Sequence, residues 1–359
     1  MRRSKCRLMA AICLSSLSAV ALLSPCPAQD GMGAEQAQER QEMQNMREEM
    51  KDIKSTINDA VGGMSQLKAQ QGAPQANVRE MHLIAKSAAC ELLPGVSAEC
   101  LTYNGKLPGP VIRVAEGDAV RIVLHNQLKT PTSLLFQGLT VPQSVGGLPR
   151  KAAGMVLPGQ AFAYQFIAKQ PGTYWYHPQI TQSDQKTEGL SGVLIVEPRS
   201  QEKTYDRDIV AAFSDLNAVP ASATASGAHY RAVPPGQSGH HYWLMNGKSA
   251  PAIPPMELKQ GERVRLRAVN AGQQPITLYL SGHHFEVVAC NGSDQLEPHT
   301  TRDTITLNPS DRYDLEFTAN NPGVWSLASE LYLQSTDDGK FPGGIACVVR
   351  YEQGADSDE

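Results

Sequence analysis

Two periodicities divide the chain. Before residue 72, apolar side chains recur at Met43, Met46, Met50, Ile53, Ile57, Ala60, Met64 and Leu67, in alternating steps of three and four. That rhythm is a heptad seam, and it predicts a coiled-coil helix within residues 29–77, a polar segment rich in Gln, Glu and Met. Glu42 with Arg47, and Glu49 with Lys54, fall where flanking charges pair between parallel helices, and Gly62-Gly63 ends the helix near Val61. The methionines share their stripe with Ile53 and Ile57, which reads as seam packing; the sharper alternative is a thioether site for cuprous ion at Met43 and Met46. Gln70 to Gln75, with Gly72 and Pro74, is a linker.

From Val78 the period shortens. Runs such as Val111–Val114, Val120–Leu124 and Ala161–Ile167 are bounded by Asn104-Gly105, Pro108-Gly109, Gly117-Asp118, Pro158-Gly159 and Pro171-Gly172. Many short strands at this spacing predict β-sandwiches, one over residues 78–199 and a second over 200–352, followed by an acidic tail at 353–359. Between their strands, Ala218 to Gly239 is rich in Ala, Ser, Pro and Gly and is expected as an exposed loop. His229, His240 and His241 lie in or beside it; they read as solvated side chains, with a metal-holding cluster as the alternative. Gly172 to Gln179 reads as a buried strand, rich in Tyr and Trp, that ends at His177-Pro178-Gln179. Alternate residues of a strand share a face, so a His-x-His pair there would aim two imidazoles at one metal. Gln179 stands at the second position.

Composition adds a compartment and excludes some partners. Residues 1–28 have the form of an export signal: Arg2, Arg3, Lys5 and Arg7 precede an apolar core from Leu8 to Leu23, and Cys26-Pro27-Ala28 places small residues near a cut. Removing the four signal residues from the 32 basic ones leaves 28 against 36 acidic, a formal charge of −8. That balance argues against nucleic acid or an anionic membrane as partner, and the short, serine-interrupted apolar core argues against stable membrane insertion. Cys90, Cys100, Cys290 and Cys347 remain after the signal. An even number in an oxidising compartment allows two disulfides, with Cys90 and Cys100 flanking a hairpin at Pro94-Gly95, or else free buried thiols.

The sequence resembles the multicopper oxidases, the superfamily of laccases and copper nitrite reductases. In the first sandwich the resemblance runs through Tyr103 to Pro110, Gly117-Asp118, Asn126, Pro131-Thr132, Gly172–His177 and Gly189–Glu197. In the second it runs through Asn246-Gly247, Gly261–Arg267, Asn270, Gly282–Phe285 and Pro322–Trp325. It implies an all-β fold of two cupredoxin-like (plastocyanin-like) Greek-key sandwiches, here preceded by the helical segment.

The chain departs from that family at the copper motifs. Where the family has His-Trp-His-Gly, this chain has Leu135-Phe136-Gln137-Gly138; His-x-His is reduced to His177 and Gln179. The third motif falls on Ile276 to His283, with Ile276, Tyr279 and Ser281 at ligand positions and His283 kept. The last, His-Cys-His and a further His, falls on Ala328-Ser329-Glu330 and Gln334. Serine cannot supply the soft thiolate of the electron-accepting copper, and Cys290 and Cys347 lie away from the motif. No intact metal site and no cofactor are therefore expected, His177 and His283 being the surviving ligand positions. The resemblance also includes copper-free members that serve as periplasmic structural or division proteins, and two-domain members that assemble as trimers. The expectation is a secreted or periplasmic, non-catalytic scaffold that binds a protein partner and forms a homo-oligomer, such as a trimer, held also by other contacts, which the seam reinforces or else tethers to a partner helix. The alternatives are a copper-containing oxidoreductase and a copper-handling carrier using Met43, Met46, Met50 and the histidine loop.

Overall fold

The computed structural model describes residues 78–141, 155–179, 185–200, 204–224, 227–235, 237–292, 300–329 and 344–352. The export segment, the heptad seam, Glu330, Gln334 and the acidic tail lie outside them. The described part is all-β and cupredoxin-like.

A long sheet runs through both halves of the molecule. Its first members, β1 (Val78–Leu93) and β2 (Val96–Tyr103), form a hairpin over Pro94-Gly95, where Gly95 takes φ 73°, a conformation glycine adopts at no steric cost. β1 pairs in parallel with β4 (Ala119–Asn126), and β4 with the edge strand β6 (Ala161–Ile167). On the other side β2 meets β10 (Gly227–Val233), which pairs with β9 (Arg207–Thr224). The sheet continues through β13 (Arg263–Asn270), β18 (Arg312–Thr318), β15 (Phe285–Cys290) and β16 (Thr300–Arg302), with β11 (His240–Met245) also on β9.

Two smaller sheets close the sandwiches. β3 (Ile112–Ala115), β8 (Gly192–Glu197), β7 (Gly172–His177) and β5 (Leu135–Gln137) cover the first half. The second half is covered by β12 (Met256–Leu258), β20 (Ala346–Tyr351), β19 (Val324–Ser329), β14 (Ile276–Leu280) and β17 (Thr304–Leu307). Alternation of apolar residues fills each core: Ile122, Leu124, Phe136, Tyr164 and Leu194 in one, Leu266, Leu278, Phe285, Leu315 and Leu327 in the other.

Most of the segment expected as an exposed loop is sheet instead, its start being the end of β9 and Gly227–Val233 being β10. Ala218 pairs with Ala232 on one side and His240 on the other, and Ala218, Ala232, Leu216 and Leu244 join Leu92, Ala98 and Cys100 in a small core that ties the β1–β2 hairpin to the second half. Small residues suit this place because strands approach closely on both sides; composition alone had suggested solvent. The nearby histidines are accordingly part of the sheet: His229 Nδ1 lies 3.0 Å from Ser97 Oγ, and His241 Nδ1 2.7 Å from Asn217 Oδ1.

Among the described residues, Cys90, Cys100, Cys290 and Cys347 are in no disulfide, so neither pairing allowed by the count is formed. Cys90 and Cys100 do come together, thiol hydrogen-bonded to thiol. Strand register puts Cys90 opposite Ala98 and Cys100 opposite Ala88, a diagonal rather than a direct pair. Cys290 ends β15 in the long sheet, whereas Cys347 sits on β20 with its thiol on the Pro254 carbonyl, 3.3 Å away.

Candidate functional site

The face where the two halves meet positions the motif residues of the first half. Both sides of β7 are buried: Tyr174 and Tyr176 point into the first core, while Trp175, with Val193 and Ile195 of β8, packs on Ala212, Val269 and Ala271. Directly opposed residues of antiparallel strands share a face, and β5 pairs with β7 as Leu135 with His177 and Gln137 with Trp175. His177 thus shares its face with Leu135, Gln137 and Trp175.

His177 is 8% exposed and stacks on Trp175, ring centroids 4.1 Å apart. Its Nδ1 lies 2.8 Å from the Pro178 carbonyl. A carbonyl only accepts, so Nδ1 carries the proton and Nε2 holds the lone pair. Burial lowers the imidazole pKa to about 4, and Lys186 adds to this, while the Pro178 carbonyl opposes it. The ring is neutral. Its Nε2, Trp175 Nε1 and Gln179 Oε1 are buried without hydrogen-bond partners. Gln179 is anchored through its backbone N–H, which donates to Ser133 Oγ at 3.0 Å.

The motif positions of the second half form another group. β14 lies between β17 and β19, with Tyr279 opposite Ala328 and Leu278 opposite Ser329. Ile276, Leu278 and Leu280 are buried in the core, as is Ser329. His283 follows β14 and is enclosed by the rings of Phe317, Trp325 and Tyr351. Its Nδ1 lies 3.2 Å from the Ser281 carbonyl and therefore carries the proton, leaving Nε2 to accept from the Tyr351 hydroxyl at 2.7 Å.

Family models for multicopper oxidases match residues 85–201 and 223–335. The chain belongs to the multicopper oxidase superfamily. It is 26% identical over 303 residues to a multicopper oxidase of Mycobacterium tuberculosis, covering 77% of this chain and 59% of the relative. To copper resistance protein A of Escherichia coli it is 36% identical over 124 residues, 34% of this chain and 20% of that protein. It spans well under two thirds of both. Among solved structures, the blue copper oxidase of Nitrosomonas europaea superposes with a TM-score of 0.67 at 27% identity, over 77% of this chain and 86% of that one. A multicopper oxidase designated mgLAC gives a TM-score of 0.68, also at 27% identity and with the same coverage.

Against that background, the donor set of this multicopper oxidase relative is narrow. His177 offers one neutral lone pair among apolar and amide groups, and His283 has its Nε2 engaged by Tyr351. The two sit in different sheets, each held by its own neighbours. Among the described residues, no three His, Cys, Asp or Glu side chains gather where a metal could lie.

The sequence reading missed a second feature of this face. Arg267, on β13 and 1% exposed, reaches Asp208 at 2.7 and 2.8 Å, Asp314 at 3.3 Å, Glu197 at 3.4 Å and Thr173 Oγ1 at 2.8 Å. Arg113 joins Glu197 and Asp208, and Arg265 meets Asp314 at 2.5 Å. Thr173, Glu197 and Arg113 come from the first half and the rest from the second, so the network fixes how the halves dock. Three arginines at alternate positions within Arg263–Asn270 were the available signal.

Proposed function

We propose that this chain is an exported multicopper-oxidase-like protein that has exchanged its copper ligands and acts as a non-catalytic scaffold or partner-binding protein. One observation supports the reading: the aligned positions lie on paired strands or directly after them, yet Leu135, Gln137, Ile276, Tyr279, Ala328 and Ser329 stand on the strands and Gln179 and Ser281 just beyond β7 and β14. Copper of the electron-accepting kind needs a thiolate with two imidazoles. Ser329 is a hydroxyl opposite Leu278, and the sulfur on the adjoining strand β20, Cys347, stands opposite Leu327 with its thiol on the Pro254 carbonyl and no imidazole beside it on either strand. These residues do not fit a copper centre. The apolar replacements suit packed interior, where Ile276 and Ala328 are almost fully buried. A fold kept while its site is rewritten accords with the general separation of fold from function.

Loading the mature protein with copper tests the reading through spectroscopy and dioxygen uptake. The expected result is no intense blue thiolate-to-copper band and no dioxygen consumption above the buffer rate with phenolic or cuprous substrates. A blue band, or consumption that tracks protein purity, would overturn it.

A further inference from the structure

A pair of histidines that lies apart from the family's copper motifs has the nitrogen–nitrogen separation of a chelate. β1 and β4 run parallel, with His82 beside Val123 and Ile84 beside His125, so the two imidazoles sit diagonally on the outer face of the long sheet. His82 Nδ1 lies 2.9 Å from His125 Nε2, with the rings stacked at 5.2 Å between centroids. Two nitrogens bound cis to one ion, at about 2.0–2.1 Å each and near a right angle, are separated by about 2.9 Å. We propose that His82 and His125 form a surface chelate for a divalent late first-row cation, taking Cu(II) most tightly and Ni(II) next.

The surroundings hold the lone pairs in place. Glu80 Oε1 lies 3.3 Å from His82 Nε2, and its negative charge favours the proton on that nitrogen, which leaves the lone pair of His82 on Nδ1, facing His125. In the metal-free molecule His125 Nε2–H donates to that lone pair. An ion replaces this hydrogen bond when His125 moves its proton to Nδ1, so both imidazoles stay neutral and no other group need change. The strand beneath is pinned by Asn104, whose Oδ1 accepts from the Ile84 N–H at 2.6 Å and whose Nδ2 donates to the His82 carbonyl at 3.0 Å. Such rigid mounting lowers the ordering cost of binding.

Local charge selects the class of ion. Glu80 is also paired with Arg121, Oε2 to Nε at 2.9 Å, so the site carries no surplus negative charge. Attraction then rests on the nitrogen donors, which favour Cu(II) and Ni(II) over Ca(II) and Mg(II). The His82 side chain is 55% exposed, leaving the remaining coordination positions to water.

Titrating the mature chain with Cu(II) under paramagnetic resonance tests the pair. We expect one equivalent of non-blue Cu(II) with hyperfine coupling from two imidazole nitrogens. Loss of an outer-shell partner costs about 10–100-fold in affinity, so Glu80→Gln should weaken binding by about tenfold, and His82→Ala or His125→Ala by more. Both histidines are on the surface, and unchanged melting curves would show that the variants fold. Loss of the signal in His177→Leu instead, undiminished binding in both alanine variants, or no binding at all would overturn the assignment. Blue colour or dioxygen reduction would count against the copper-free reading of the motif positions and leave this pair unaffected.

Discussion

Protonation of His177 should govern much of the acid stability of this protein. Burial holds its pKa at about 4 in the folded chain, against 6.5 for an unperturbed imidazole. The folded state therefore excludes a proton that the unfolded state takes up below pH 6.5. Stability is fully present above that value, declines as pH falls, and levels off only near pH 4, where the folded ring also charges. The total is about 3 kcal/mol, from roughly 2.5 pKa units at 1.36 kcal/mol each, and lowering the pH from 7 to 5 should remove about 2 kcal/mol of it. His177→Leu removes the titrating group from a site lined by Leu135 and Trp175 while keeping comparable volume. Urea unfolding at pH 7 and pH 5 reads the effect: the parent should lose about 2 kcal/mol more than the variant over that interval. Parallel losses in the two proteins would refute the argument, as would an NMR titration placing the His177 midpoint near 6.5.

Four further outcomes follow from the packing. Arg267→Ala removes the guanidinium shared by Asp314 and Asp208, leaving Arg265 and Arg113 as their partners, and should destabilise the protein by about 1–3 kcal/mol in denaturant melts; no measurable loss would mean that water replaces the guanidinium at little cost. Acid should weaken the same network, because the burial of Asp208 is outweighed by the Arg267 and Arg113 hydrogen bonds, which hold its carboxyl below the usual range, so this contribution is lost only as pH falls beneath about 4, a limb that Arg267→Ala should make shallower while Arg113 remains. Gly247→Ala introduces a Cβ that overlaps the Leu107 carbonyl at a position with φ 79°, and should cost at least about 2 kcal/mol and loosen the loop contact between the halves, seen as faster hydrogen exchange at Leu107 and Lys248. Cys90, whose thiol pKa is lowered by the hydrogen bond from Cys100, should alkylate before Cys347, whose thiol burial pushes up to about 11; timed mass spectrometry of iodoacetamide-treated protein gives the order.

The resemblance and the local patterns carried the fold a long way. Turn dipeptides such as Asn104-Gly105 and Pro94-Gly95, together with alternating apolar runs, are local signals, and they mark strands whatever the tertiary context. Ala218 to Gly239 shows the limit of that logic. Its small residues carry no local preference strong enough to mark a strand, and they form the end of β9 and the whole of β10 because these pair with each other and with β11 and β2 on either side. The superfamily was legible because it depends on residue identity at fixed spacing. The isolation of His177 Nε2 was not, since it depends on which atoms of distant segments come near.

By itself, the amino-acid sequence determined that the chain is built of two strand-rich halves of the multicopper oxidase kind, and that Arg263, Arg265 and Arg267 interrupt an otherwise apolar run. Residue chemistry and short-range periodicity suffice for such statements. Only the tertiary structure decided that those arginines join acids from both halves across a buried face, that Cys90 meets Cys100 diagonally, and that His82 and His125 stand 2.9 Å apart. Each of those relations links residues through strand register and docking, which depend on the whole pattern of pairing and cannot be read from any one segment.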